Sequence, residues 1–153
     1  MNAYYDLSHT VSEDEIDWQG HVHNLQYLQW SLWAARDHSA ACGWDAAAGL
    51  QQGVGWVVRS HEVVFRSAAF AEDELVVRTW ISEVDRFASR RRYLIARPAD
   101  RTVLAKVDTR WAFVDLNRRK AVDIPAPVRA GITILTRSPG PPWGESRRLA
   151  GRA

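Results

Sequence analysis

Hydrophobic positions change their period once along the chain, and the change separates two kinds of structure. From Asn24 to about Cys42 there is no Pro or Gly, and Leu25, Leu28, Leu32 and Ala35 recur at helical spacing. Tyr27, Trp30, Trp33, Ala34 and Ala41 widen this stripe well beyond one face, the pattern of a helix enclosed by other structure. Asn24 is a favoured N-cap type and Gly43 a favoured residue just past a helix, so both ends are marked. After Trp44 the pattern becomes that of strands: residues 54–66, 74–82, 87–97 and 103–115 are rich in Val, Trp, Phe and Thr. In the last of these, Val103, Ala105, Val107, Thr109, Trp111 and Phe113 alternate with Lys106, Asp108 and Arg110, as in a half-buried strand.

Residues 3–12, with Tyr4, Tyr5, Leu7 and Val11, predict one further strand, and residues 13–22 hold no sustained period and predict a loop. "RPADRT" at 97–102 has the Pro and Asp of a hairpin turn. The short links between the later strands favour antiparallel pairing, because parallel pairs need long crossovers. One strand, one long buried helix and four antiparallel strands make an α+β chain whose single sheet hides the helix by curling around it. This domain is expected to span residues 1–136. Residues 137–153 are rich in Pro, Gly and Arg and are expected to form a flexible tail, with Trp143 available as an anchor. No internal repeat is visible.

Composition narrows the class without naming an activity. At 153 residues the chain holds one domain with a proper core. Hydrophobic residues make up 46% and charged residues 25%, ordinary for a globular protein, and a net charge of +2 gives no argument for nucleic acid. The eight Trp suit both a core and an apolar ligand pocket. Cys42 is alone, which excludes an intrachain disulfide and a thiolate zinc cluster. The first residues lack the pattern of a signal peptide, and no apolar run reaches bilayer length, so a cytoplasmic protein without a membrane partner is expected.

The chemistry concentrates at "DWQGHVHNLQYLQW", residues 17–30, where Asp17, Gly20, His21 and His23 precede the helix. Spacing alone leaves two readings of Asp17 equally open: a catalytic carboxylate, or a group that caps or pairs at the helix entrance. Asp17 with His21 and His23 could also ligate a metal. However, no other His-rich cluster supports this, His38 and His61 fall on separate elements, and no metal is expected.

"EIDWQGHVHNLQYLQW" resembles the helix-entrance motif of hotdog-fold thioesterases of the 4-hydroxybenzoyl-CoA thioesterase type, with Asp17, Gly20, Val22, Asn24, Tyr27 and Trp30 matching in order. "FRSAAFAEDELVVRTWISEVDRFASRRRYLI" and "TRWAFVDLNRRKAVDIPAPVRA" resemble the strands and the Pro-led segment that follow, so the resemblance covers residues 3–130. One departure is Glu72, where many relatives have Gly before a strand.

The resemblance implies a hotdog fold, a curved antiparallel sheet of about five strands wrapped around one long central helix. It also implies a homodimer or dimer of dimers with active sites at the subunit interface. The substrate would be an acyl-CoA or acyl-carrier-protein thioester, with no cofactor beyond the coenzyme A of the substrate and no metal. Asp17 would be the nucleophile or the general base. A thiolate leaves readily, so the main demand is oxyanion stabilisation, which free helix-start amides at His23 and Asn24 can meet. Gly20 would make the bend and admit substrate close to the backbone. Glu62 and His61 are weaker candidates for orienting water from across a dimer.

Tyr27 belongs to the motif and is expected near substrate. Arg86, Arg90 and Arg91, with Arg92, surround a hairpin where relatives often bind the nucleotide of CoA; alternation sets Arg90 and Arg92 on one face and Arg91 on the other. Trp18, Trp30, Trp33 and Trp56 are candidates for an acyl pocket. The alternatives are a hotdog dehydratase of hydroxyacyl thioesters, whose Phe-, Pro- and Gly-rich pattern "GHVHNLQY" lacks, and a non-catalytic acyl-thioester-binding protein.

Overall fold

Tyr4–Thr10 (β1), Val54–Phe65 (β2), Glu74–Val84 (β3), Ala88–Arg97 (β4) and Thr102–Asp115 (β5) form one antiparallel sheet, ordered β1-β3-β4-β5-β2, in the computed structural model, which describes residues 3–144. Lys120–Ala121 (β6) adds a two-residue pairing to β5. Register shifts interrupt the ladders between Val58 and Ser60, Ile81 and Glu83, and Ile95 and Ala96. Such irregularities sharpen the right-handed twist, and the sheet curls around the helix Asn24–Ala41 (α1). The sheet, the helix and their order agree with the sequence reading.

Along α1 the buried positions are Tyr27, Trp30, Ser31, Ala34, Ala35 and His38, one stripe at helical spacing. The core packs Trp30 and Tyr27 against Leu75 and Val77 of β3, Tyr93 and Ile95 of β4, and Leu104 and Val107 of β5. Sequence patterning predicts enclosure over most of the circumference, but the chain covers only this face: Leu25 is 64% exposed, and Leu28 and Trp33 are only partly buried.

The helix start also differs from expectation. His23 is the N-cap, not Asn24: its Nδ1 accepts from the Leu25 N–H at 3.1 Å. An imidazole nitrogen performs the capping that the shorter amide was expected to supply. At the other end Gly43 takes φ +97, as the C′ position demands. Two short helices, Ala46–Gln51 (α2), capped by Asp45, and Ala126–Ala130 (α3), were not anticipated. The hairpin at 97–102 closes through a 3-10 turn over Pro98–Asp100, with Arg101 left-handed at φ 53°.

Between Arg137 and Gly144 the chain meets the sheet. The Arg78 guanidinium, held by Asp6, donates to the Gly140 carbonyl at 3.1 Å, and Trp143 and Pro141 share a shallow cavity with Leu94 and Lys106 of the sheet. Residues 145–153 of the expected tail lie outside the described residues.

Candidate active site

The segment before α1 is a tight loop organised by its own backbone. The Asp17 N–H donates to the His21 carbonyl at 2.9 Å, and the Gly20 N–H to the Asp17 carbonyl at 3.0 Å. Gly20 turns the chain at φ +90, a conformation that residues with a Cβ adopt at a cost. The Asp17 carboxylate accepts from the Gln19 N–H at 2.8 Å through Oδ1, while Oδ2 lies 4.0 Å from His21 Nδ1. Its side chain is 18% exposed, so the acid is held and partly shielded yet still reachable.

The loop is braced by a cluster missed in the sequence reading. Glu15 is buried; its carboxylate accepts from Trp30 Nε1 at 2.8 Å, from the Ser12 N–H at 3.0 Å, and contacts His9 Nε2 at 2.8 Å. Burial pushes the Glu15 pKa up, but the bonds from His9, Ser12 and Trp30 outweigh this and hold it below its ordinary value. The spacing Ser12-x-x-Glu15 is a helix-start signature, and it was the available signal.

This bracing corrects one proposed oxyanion donor. The His23 N–H is spent on the Glu15 carbonyl at 3.0 Å. With Leu25 bonded to the His23 ring and the Gln26 N–H to the His23 carbonyl at 2.9 Å, the Asn24 amide is the helix-start donor without an acceptor among the described residues.

Other expected site residues are placed as follows. Tyr27 is 2% exposed, its ring packed against Trp30 and Phe65, so within the protomer it is a core residue and not a wall open to substrate. His61 bonds Thr109 Oγ1 at 2.8 Å across β2 and β5, and burial pushes its pKa down. Glu62, one position along, is exposed on the opposite face.

Arg86 reaches Asp123 at 2.7 Å in an exposed pair. Arg90 grips Asp108 through Nε and Nη2 and approaches Glu83 at 3.2 Å; this pairing holds the Asp108 pKa below its ordinary value. Arg90 and Arg91 do take opposite faces, but Arg91 points inward and is 4% exposed. Its expected place beside a surface nucleotide is therefore corrected: the curl of the sheet turns its face toward α1.

A cavity of about 980 Å³ lies at the C-terminal half of α1 and not at Asp17. Trp44, Trp56 and Trp111 form much of its wall, with Leu32, Ile81 and Arg91. Of the four tryptophans expected at a pocket only Trp56 lines it; Trp18 is 92% exposed and Trp30 is core. Among the described residues no group of three or more His, Cys, Asp or Glu side chains could hold a metal, and no helix is long and apolar enough to cross a membrane.

Comparison with known proteins bears on this arrangement. No curated protein matches the chain. Among solved structures, a 1,4-dihydroxy-2-naphthoyl-CoA thioesterase from Synechocystis superposes with a TM-score of 0.79 at 20% identity, covering 84% of this chain and 95% of that one. An Asp-to-Asn mutant of 4-hydroxybenzoyl CoA thioesterase, complexed with 4-hydroxybenzoyl CoA, gives 0.79 at 21%, covering 86% and 100%. The Dynemicin thioesterase gives 0.77 at 24%, covering 84% and 94%. These likenesses establish the hotdog fold. The family model described as "Thioesterase-like superfamily" matches residues 11–132, from the end of β1 through α3, and with most of the chain inside that match the protein belongs to the thioesterase-like superfamily.

Proposed function

We propose that the protein hydrolyses the thioester of an acyl-CoA or acyl-carrier protein, with Asp17 as nucleophile or general base. The observation that carries this reading is a shielded carboxylate held by the Gln19 amide beside a helix start whose Asn24 amide has no acceptor among the described residues. Water adds to the carbonyl carbon, either directly with Asp17 taking its proton, or after Asp17 has displaced the thiolate as a mixed anhydride. In both routes the carbonyl oxygen gains charge that the Asn24 N–H and the helix dipole stabilise, and the products are a carboxylic acid and a free thiol.

The reading includes a two-fold dimer through the free edge of β2. Phe65, at the end of β2, packs on Tyr27 near the Asp17 end of α1, whereas Val54 and Trp56, at its start, line the cavity. Antiparallel pairing of two β2 edges sets the start of one strand beside the end of the other, bringing the Asp17 of one protomer to the cavity of its partner. The apolar residues that a protomer leaves uncovered, Leu25 on α1 and Val58 and Val64 on β2, fit such an interface. Arg86, 73% exposed, set over the Phe87 ring and paired with an exposed Asp123, is available to CoA phosphates, whereas Arg90 is committed to Asp108.

The test is thiol release over aryl, short-, medium- and long-chain acyl-CoAs, with product analysis. Free thiol and carboxylic acid in equal amounts are expected. Loss of water from a hydroxyacyl thioester without thiol release contradicts the reading, as does stoichiometric binding without turnover across the panel.

A further inference from the structure

Arg91 is a buried cation without an anion. It projects from the inner face of β4 beneath the C-terminal half of α1 and is 4% exposed. Its Nη1 donates to His38 Nδ1 at 2.9 Å and to Thr79 Oγ1 at 3.2 Å. Neither neighbour carries negative charge. Elsewhere in the sheet Arg78 pairs with Asp6, Arg90 with Asp108, and Arg97 with Asp73 and Asp100. Among the described residues no carboxylate lies within ion-pair distance of Arg91. Burial in these surroundings pushes its pKa down, yet a guanidinium keeps its proton, so the cost of desolvating the charge stands uncompensated.

That cation faces the cavity of about 980 Å³. Both protein bonds use Nη1, so the Nε–Nη2 edge, the edge that grips a carboxylate with two parallel bonds, makes no hydrogen bond to the described residues. Trp111, also on the wall, keeps its Nε1 buried on the Tyr93 side, so it presents its apolar ring to the cavity. The other charged wall residues are engaged: Arg36 with Asp37, and Asp45 as the cap of α2. The cavity is therefore an apolar, Trp-walled space with one unengaged charged donor edge, that of Arg91.

We propose that Arg91 is a specificity-determining residue, and that the cavity takes the acyl part of a half-thioester whose far end carries a carboxylate. The proposal rests on the hydrolase reading above and adds the substrate class to it. A CoA phosphate does not fit the same role, because Arg91 lies inside an apolar chamber and not at an exposed hairpin. A neutral acyl end leaves the cation as uncompensated as in the free protein. A carboxylate exchanges its own hydration for a bidentate charged contact.

The test compares matched CoA thioesters that differ only at the acyl end: 4-carboxybenzoyl against 4-methylbenzoyl, and adipoyl against hexanoyl. The full chain is expected to favour the carboxylate member in kcat/KM by about 10- to 100-fold, the range of a charge-assisted contact. Arg91→Gln is expected to remove that preference by lowering the carboxylate members more than the methyl members, and Arg91→Lys to retain part of it. Binding of the non-hydrolysable thioethers S-(4-carboxybenzyl)-CoA and S-(4-methylbenzyl)-CoA, measured by calorimetry, separates the two claims. Selective binding of the carboxylate thioether without turnover of any thioester sinks the hydrolase reading and sustains the role of Arg91. Turnover with equal preference in the unmodified chain overturns the role of Arg91 whatever the variants do, and so does an equal loss for both members in Arg91→Gln.

Discussion

Replacing Glu15 by Gln tests whether the acid behind the helix entrance organises the site. The carboxylate receives the Ser12 N–H and Trp30 Nε1–H on different oxygens, with His9 Nε2 within 3.1 Å of both. A glutamine has one acceptor oxygen, so its NH₂ must face either the Ser12 or the Trp30 donor. One charge-assisted bond is lost and a buried donor is left facing another donor, a cost of about 2–3 kcal/mol. For a chain of this length that lowers the melting temperature by about 4–12 °C.

The effect carries a pH signature. The folded pKa of Glu15 lies below the ordinary glutamate value of 4.5, so its stabilisation is complete above that value and is lost as pH falls through the folded pKa. The gap between parent and Glu15→Gln should therefore be widest near neutrality and should close in acid. Urea unfolding followed by tryptophan fluorescence at a series of pH values reads both quantities. A gap below about 0.5 kcal/mol at neutral pH, or one that does not change with pH, refutes the reasoning.

Two further substitutions probe other parts of the structure. Adding charge to the free edge of β2 through Val58→Lys with Val64→Lys should shift the protein to its monomer mass of 17.4 kDa in light scattering and abolish turnover with it. A monomer with full turnover contradicts the shared site. Glu72 sits at φ 69°, in the left-handed region that glycine adopts without strain, and Glu72→Gly should raise stability by up to about 1 kcal/mol in urea unfolding. A loss of stability contradicts strain at that position.

The sequence exposed those features that depend on local period and short motifs. β5 was readable because Val107, Thr109 and Trp111 alternate with Asp108 and Arg110, and one face of that strand is buried in the fold. The placement of Asp17 before a helix was legible from residue order, although the catalytic role proposed for it came only through family resemblance.

What stayed hidden depends on three-dimensional direction. Alternation separated Arg91 from Arg90, but only the curl of the sheet decides which of the two turns inward. His23 and Asn24 are adjacent and both can cap a helix; the His23 ring reaches the Leu25 amide, a choice made by side-chain geometry. Tyr27 matches a motif position, yet it is covered by Phe65, distant in sequence and on an edge strand. The cavity joins α1, β2, β4, β5 and the unforeseen α2 and α3, so no single segment announces it.

The most direct test of the central claim is steady-state thiol release by Asp17→Asn beside the unmodified protein, with the oligomeric mass and unfolding midpoint of both. Asparagine preserves the shape and the acceptor for the Gln19 amide but can neither attack the carbonyl nor take a proton from water. The account expects an unchanged assembly, retained acyl-CoA binding and a kcat lower by about a hundred- to ten-thousand-fold. A folded, assembled variant whose kcat stays within a few-fold of the parent contradicts it.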